Sequence, residues 1–272
     1  MARLGVAATA PFGADVLARL AERHEVAFVL TRPDRPRGRG RRVGAPPAKE
    51  TAARLGVPVL QPERLDAQVE LDADTMVVAA YGALIPDVLL NRALWLNVHP
   101  SLLPRWRGAA PVERAIMAGD RETGVTIHRT TSELDAGPIA VQRTFPIGPE
   151  DHAGDAFRQA AELAVELLDE VLDGAKFRPQ PKEGVTYADR LSAADRELDW
   201  SRQPEELLNR IRALSPHIGA RGEVNEQIVT VWRARQATPD SELVVGGLEL
   251  LEVQPEGRRR MTGAEYLRGY AR

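Results

Sequence analysis

Short apolar runs alternate with stretches of helical periodicity over the first two hundred residues, and this alternation narrows the fold more than any other feature of the chain. Residues 4–8, 26–30, 57–60, 75–80 and 94–98 read as buried strands, with 125–128 and 139–145 as later ones. Between them, residues 14–23, 48–55, 111–118 and 153–172 carry helical patterns. In the first of these, Val16, Leu17, Leu20 and Ala21 share one face. Repeated strand–helix–strand units predict an α/β fold, a mostly parallel sheet with helices on both faces. In such sheets ligands sit beyond the carboxyl ends of the strands, so chemistry is sought there.

The pattern changes after residue 173. Residues 174–184 read as an edge or linker, and residues 207–214 as one more amphipathic helix. Short apolar runs at 228–232, 243–245 and 248–253 follow, separated by the turn residues Pro239, Asp240, Ser241, Gly246 and Gly247. They predict a small β domain of barrel type. The expected organisation is a first domain over 1–190, a linker over 191–205 and a C-terminal β domain over 206–272.

Composition removes several classes of function. The chain has no cysteine, which excludes a disulfide framework, a thiol nucleophile and a Cys-ligated metal. The net charge of the 272 residues is −3, so any contact with nucleic acid must be local. Neither a signal peptide nor an apolar run near the roughly 18 residues of a membrane helix is read, and a cytoplasmic protein without membrane contact is expected. His24, His128, His152 and His217 are scattered without ligand spacing, so no metal is expected. His128 either faces the site or is simply buried, and burial is the simpler reading.

Three stretches carry chemistry. Asn97 and His99 end a buried strand and, two apart, point to one side of it. They are either a strand-end turn with a hydrogen-bonded histidine, or an amide and imidazole that polarise a carbonyl and move a proton. Asp135, before Gly137 and Pro138, is either a turn former or the carboxylate that orients a nearby histidine. Residues 32–49 hold seven cations (Arg32, Arg35, Arg37, Arg39, Arg41, Arg42 and Lys49) against the single anion Asp34. Their prolines and glycines predict an exposed loop outside helix and strand, either a solvated face or an arginine-rich contact for a polyanion. No Gly-x-Ser-x-Gly elbow surrounds Ser101, and no Gly-x-Gly-x-x-Gly follows the first strand, which disfavours a serine hydrolase and a dinucleotide site.

Residues 97–111, reading NVHPSLLPRWRGAAP, together with Thr123 to Ile127, Ala79 to Gly82, the RPDRPRGRGRR loop, Tyr187 to Leu191 and Asp199-Trp200, make the chain similar to the methionyl-tRNA formyltransferase family. The resemblance spans nearly the whole chain. It implies a Rossmann-like folate-binding domain followed by an OB-type barrel. It also implies formyl transfer from 10-formyltetrahydrofolate to the α-amine of methionine on initiator tRNA, by a monomer. Carried over by position, Asn97, His99 and Asp135 are the catalytic triad. Ser101, Leu102, Leu103 and Pro104 fall in the folate-site motif, with Tyr81 and Gly82 as further cofactor-binding positions. Arg39 matches the loop arginine that enters the tRNA acceptor end, with Arg41 and Arg42 as basic neighbours and Arg35 and Arg37 completing the nucleic-acid set. The implied chemistry has Asn97 donating to the developing oxyanion, His99 donating to it or shuttling the amine proton, and Asp135 favouring the cationic imidazole. It requires no metal.

The sequence departs from the family pattern at three places. Ala8-Thr9-Ala10-Pro11-Phe12 stands where the family has Gly-Thr-Pro-Asp-Phe, Arg190 replaces an expected lysine, and the chain is shorter between Asp240 and Leu250, which predicts a shortened barrel lacking one hairpin. A formyltransferase acting on a sugar-nucleotide amine shares donor and triad and is the nearest alternative; the arginine loop favours tRNA. A non-catalytic RNA-binding module is a further class, against which the intact triad speaks.

Overall fold

The computed structural model describes residues 1–37 and 42–270, without the side chains of Arg37 and Arg42. In chain order its elements begin with β1 (Arg3–Ala8), α1 (Pro11–Ala21), β2 (Glu25–Leu30), β3 (Arg35–Arg37), β4 (Arg42–Gly44), α2 (Pro47–Leu55) and β5 (Val59–Leu60). Next come β6 (Thr75–Ala79), α3 (Asp87–Leu90), β7 (Leu94–His99), β8 (Arg107–Gly108), α4 (Pro111–Met117), β9 (Glu122–Arg129), β10 (Ile139–Pro146) and α5 (Ala153–Leu172). The last are β11 (Tyr187–Ala188), α6 (Pro204–Leu214), β12 (Ala220–Val224), β13 (Gln227–Gln236), β14 (Val244–Val245), β15 (Leu248–Pro255), β16 (Met261–Thr262) and α7 (Gly263–Tyr270). No helix among the described residues is long and apolar enough to cross a membrane.

The chain gathers into two compact units. The first comprises Met1–Ala109, Gly124–Phe145 and Phe157–Tyr187. Its sheet runs β10-β9-β7-β6-β1-β2-β5. The pairs β1–β2, β1–β6, β2–β5 and β6–β7 are parallel, and β7–β9 is antiparallel. The central strands are buried on both faces, which is why β1 and β6 read as unbroken apolar runs instead of alternating. At Gly5 any Cβ would run into Met76 and Phe28, so glycine lets neighbouring side chains close over β1. Phe28, Leu30, Met76, Tyr81, Leu89 and Trp95 form one core cluster, and the Trp95 Nε1–H donates to Leu89 O at 2.9 Å.

The basic segment differs from the sequence expectation. The loop expected to lie outside strand carries a β ribbon in which β3 and β4 pair antiparallel, Arg35 opposite Gly44 and Pro36 opposite Val43. Pro36 is tolerated because a two-stranded ribbon has open edges that need no N–H donor. Arg35 is exposed. Arg37 and Arg42 face each other in the backbone register, while Arg39 and Arg41 lie outside the described residues.

The second unit comprises Ala110–Thr123, Pro146–Ala156 and Ala188–Arg272. Its antiparallel sheet runs β12-β13-β15-β14, with β16 also paired to β15, a small barrel-like sheet. Leu207, Ile211 and Leu214 line one face of α6 and pack with Val229, Val231, Leu248, Leu250 and Val253. Full burial of each such side chain stabilises by roughly 1.5–3 kcal/mol. Residues 191–205 contribute buried Leu198 to this core, and Asp195 receives both terminal nitrogens of Arg114 at 2.6 and 3.1 Å. The runs read at 243–245 and 248–253 form a short hairpin: β14 has two residues and returns to β15 through Gly246 and Gly247, both at positive φ. Helix α7 was not anticipated. A reciprocal cap starts it, Glu265 N donating to Thr262 Oγ1 and Thr262 N to Glu265 Oε2. Its Tyr266 is fully buried, with the hydroxyl donating to Val224 O at 2.9 Å.

Candidate active site

The carboxyl end of β7 presents Asn97 and His99, and the register with β9 sets Asn97 opposite His128 and His99 opposite Thr126. Directly paired residues of antiparallel strands project to the same face. His128, 1% exposed, therefore stands beside Asn97 instead of merely filling the core.

Asp135 reaches this pair from the loop between β9 and β10. It adopts φ +47°, the left-handed region that a non-glycine residue rarely occupies. Two residues on, Gly137 passes so close to Arg129 that a Cβ there would collide with the Arg129 carbonyl oxygen. Asp135 Oδ1 accepts the Asn97 amide at 3.0 Å, and Oδ2 accepts Gly108 N–H at 2.8 Å. Oδ2 also lies 3.7 Å from His99 Nδ1, and Oδ1 3.7 Å from His128 Nε2. The structure thus brings Asn97, His99 and Asp135 together, with His128 as a fourth member.

Hydrogen bonds assign a role to each nitrogen. The Nε2–H of His99 donates to Trp106 O at 2.8 Å, leaving Nδ1 facing the carboxylate. Trp106 holds its carbonyl there at φ +63°, with its own N–H donating to Thr186 Oγ1 at 2.9 Å. The Nδ1–H of His128 donates to Arg129 O at 3.1 Å. Its Nε2 is then the acceptor for Asn97 Nδ2 at 3.0 Å. Burial first, and the neighbouring His99 second, hold the His128 imidazole well below the ordinary histidine range and so keep it neutral. Both amide hydrogens of Asn97 are in this way engaged, one by His128 and one by Asp135, and a reversed amide would set oxygen against the Asp135 carboxylate.

The positions matched to a folate site build the loop after β7. Ser101 is fully buried, its hydroxyl donating to Arg105 O at 2.7 Å, so that hydroxyl is spent on the loop itself. Leu103 is buried; its N–H donates to Thr126 Oγ1 and its carbonyl accepts from Gln142. Leu102 and Pro104 are half-buried. Tyr81 is buried, which pushes its phenol up, and Gly82 is exposed at φ +76° with open space where a Cβ would stand. Sequence reasoning left His128 as a core histidine and gave no role to Gln180, which donates to Asp135 O at 2.7 Å. No local spacing signals either, because both contacts arise from chain segments joined only in the fold.

A family model described as "Formyl transferase" matches residues 4–172, and one described as "Formyl transferase, C-terminal domain" matches residues 190–247. The chain is 38% identical over 299 residues to a methionyl-tRNA formyltransferase of Methylococcus capsulatus, covering 99% of this chain and 97% of the relative. It is 40% identical over 285 residues to one of Paracoccus denitrificans, covering 97% and 96%. Among solved structures, HypX from Aquifex aeolicus in complex with tetrahydrofolic acid superposes with a TM-score of 0.67 at 20% identity, over 98% of this chain and 47% of that longer one, a likeness of fold.

Proposed function

The chain belongs to the formyl transferase family, and we propose that it moves a formyl group from 10-formyltetrahydrofolate to the α-amine of methionine on initiator tRNA, with Asn97, His99 and Asp135 at the reacting centre. One observation carries the reading: a carboxylate from a distant loop lies 3.7 Å from a histidine whose other nitrogen is already committed to a carbonyl. The donor supplies an activated formyl group. The side chains present fit it, since an imidazole with one free nitrogen, an amide and a carboxylate are what acyl transfer to an amine requires. Loss of a positive amine proton and delivery of a proton to the leaving folate nitrogen need no metal.

As the amine nitrogen bonds to the formyl carbon, His99 Nδ1 takes the proton the amine gives up. The resulting imidazolium lies beside the Asp135 carboxylate, whose Oδ2 is 3.7 Å from Nδ1. From there His99 donates toward the oxyanion and then returns the proton to the nitrogen that leaves as the old C–N bond breaks. Asn97, both of its N–H groups engaged, offers Oδ1 to an N–H of the attacking amine, a reversal of the donor role expected from sequence. Ser101, Leu102, Leu103 and Pro104, in the loop after β7, with Tyr81 and Gly82, are the folate-binding positions in this reading. Arg35, Arg37, Arg39, Arg41 and Arg42 receive the tRNA phosphates. The reading includes a cytoplasmic monomer organised as 1–190, 191–205 and 206–272.

Formylation of methionyl-tRNA and of a 4-amino-sugar nucleotide, assayed side by side, tests the proposal. Methionyl-tRNA is formylated in preference to the sugar, and His99→Ala abolishes turnover with an unchanged circular dichroism spectrum. Turnover of His99→Ala near the wild-type rate, or preference for the sugar, refutes it.

A further inference from the structure

Gln180 lies in the stretch before β11, far along the chain from the strand ends that hold the reacting side chains. Its Nε2 donates to Asp135 O at 2.7 Å and to Gly137 O at 2.9 Å. Its Oε1 accepts from Arg107 Nε at 3.2 Å and Arg107 Nη2 at 2.7 Å. A glutamine has two amide hydrogens and two acceptor lone pairs, and these four contacts use them all. Arg107 is itself buried, with Nη1 3.6 Å from Glu133 Oε1 at the start of the same loop. The residue after it, Gly108, donates its N–H to Asp135 Oδ2.

The aspartate loop is therefore clamped twice from one short strand, β8: Gly108 takes the carboxylate, and Arg107 through Gln180 takes the main chain on either side of the turn. Such a clamp has a physical task. A non-glycine residue at φ +47° is held against its own backbone preference, and a strained turn persists only where its surroundings over-determine it. Without Gln180, two carbonyls in a half-buried turn lose their donors, and the loop relaxes away from the strained conformation. Resting on the reading that Asp135 works beside His99, we infer that Gln180 is a positioning residue for formyl transfer: it fixes the Asp135 turn so that the carboxylate meets Asn97 and His99 together. It touches neither substrate and acts through Asp135.

The test measures kcat and KM for Gln180→Ala and Gln180→Glu, each in the wild-type and Asp135→Ala backgrounds, alongside amide hydrogen exchange over residues 131–138. Each Gln180 variant lowers kcat on the order of tenfold to a hundredfold, as sub-ångström misplacement of a reacting group does, while both KM values stay near wild type. In the Asp135→Ala background the same substitutions cost nothing further, since a residue acting only through Asp135 cannot lose its effect twice. Gln180→Glu keeps the acceptor for Arg107 but loses the donors to both carbonyls, so it falls as far as alanine. Exchange over 131–138 quickens in both variants. Wild-type kcat in Gln180→Glu, losses that multiply with Asp135→Ala, or unchanged exchange overturns the inference. The exchange arm needs no turnover, so a wild-type chain that fails to formylate methionyl-tRNA defeats the functional reading and leaves this test of the clamp standing.

Discussion

Glu113, in the first turn of α4, should cost the second unit stability at neutral pH, and its replacement by glutamine should recover it. Its Oε2 is sealed from solvent and has no hydrogen-bond partner among the described residues. Burial dominates its titration and pushes the carboxyl up to about 7, only partly opposed by its own backbone N–H and by Arg114. Arg114 offers little relief because Asp195 already takes its guanidinium on both terminal nitrogens. A carboxyl that ionises near 4.5 in the unfolded chain and near 7 in the folded one binds its proton more tightly when folded. Folding is then unhindered below about pH 4.5, loses stability as pH rises between the two values, and pays the full charge-burial cost above about pH 7. At about 1.36 kcal/mol for each tenfold change in proton affinity, that cost is about 3 kcal/mol. Glutamine removes the charge but leaves an amide in the same enclosed place, a penalty of roughly 1–3 kcal/mol that does not vary with pH. The decisive quantity is accordingly the change in the difference between Glu113→Gln and wild type, not its absolute size. Urea melts at pH 4.5, 6 and 8 should show the variant gaining on wild type by about 3 kcal/mol across that range, a shift of roughly 1 M in midpoint. A difference that is the same at all three pH values would refute the argument that Glu113 is buried as a charge.

Gly137→Ala must displace either the new methyl or the Arg129 carbonyl, so it should misplace Asp135 and lower kcat by a hundredfold or so, with a lower Tm; wild-type kcat would mean the turn does not depend on that close approach. Arg39→Ala should raise the apparent KM for tRNA and reduce the slope of log KM against log salt by about one, while the folate KM stays unchanged; an unchanged slope would remove this arginine from the phosphate contacts.

How legible the site was in the sequence varies residue by residue. Asn97 and His99 could be paired from spacing alone, because side chains two apart on a strand share a face whatever the strand packs against. Asp135 could be joined to them only through resemblance, since a lone aspartate before glycine reads first as a turn former. His128 reads from the sequence as a core histidine, and it is buried; its contact with Asn97 depends on a β7–β9 register that no local pattern reveals. The cap that starts α7 is written in the sequence as Thr262 followed three residues later by Glu265, but the helix it starts is short. The ribbon of β3 and β4 was missed because proline and glycine argue against a central strand, and that argument does not reach an open two-stranded pair.

The amino-acid sequence alone determined most of the strands and helices, the mostly parallel character of the first sheet and the chemical types gathered at its carboxyl edge. Those properties follow from periodicity and side-chain chemistry, which act over a few residues. Only the folded chain decided which way the Asn97 amide faces, which nitrogen of His99 stays free, and that Gln180 holds the turn of Asp135. Each of these is a hydrogen bond between segments remote along the chain, and its geometry exists only after strand register and loop closure have been set.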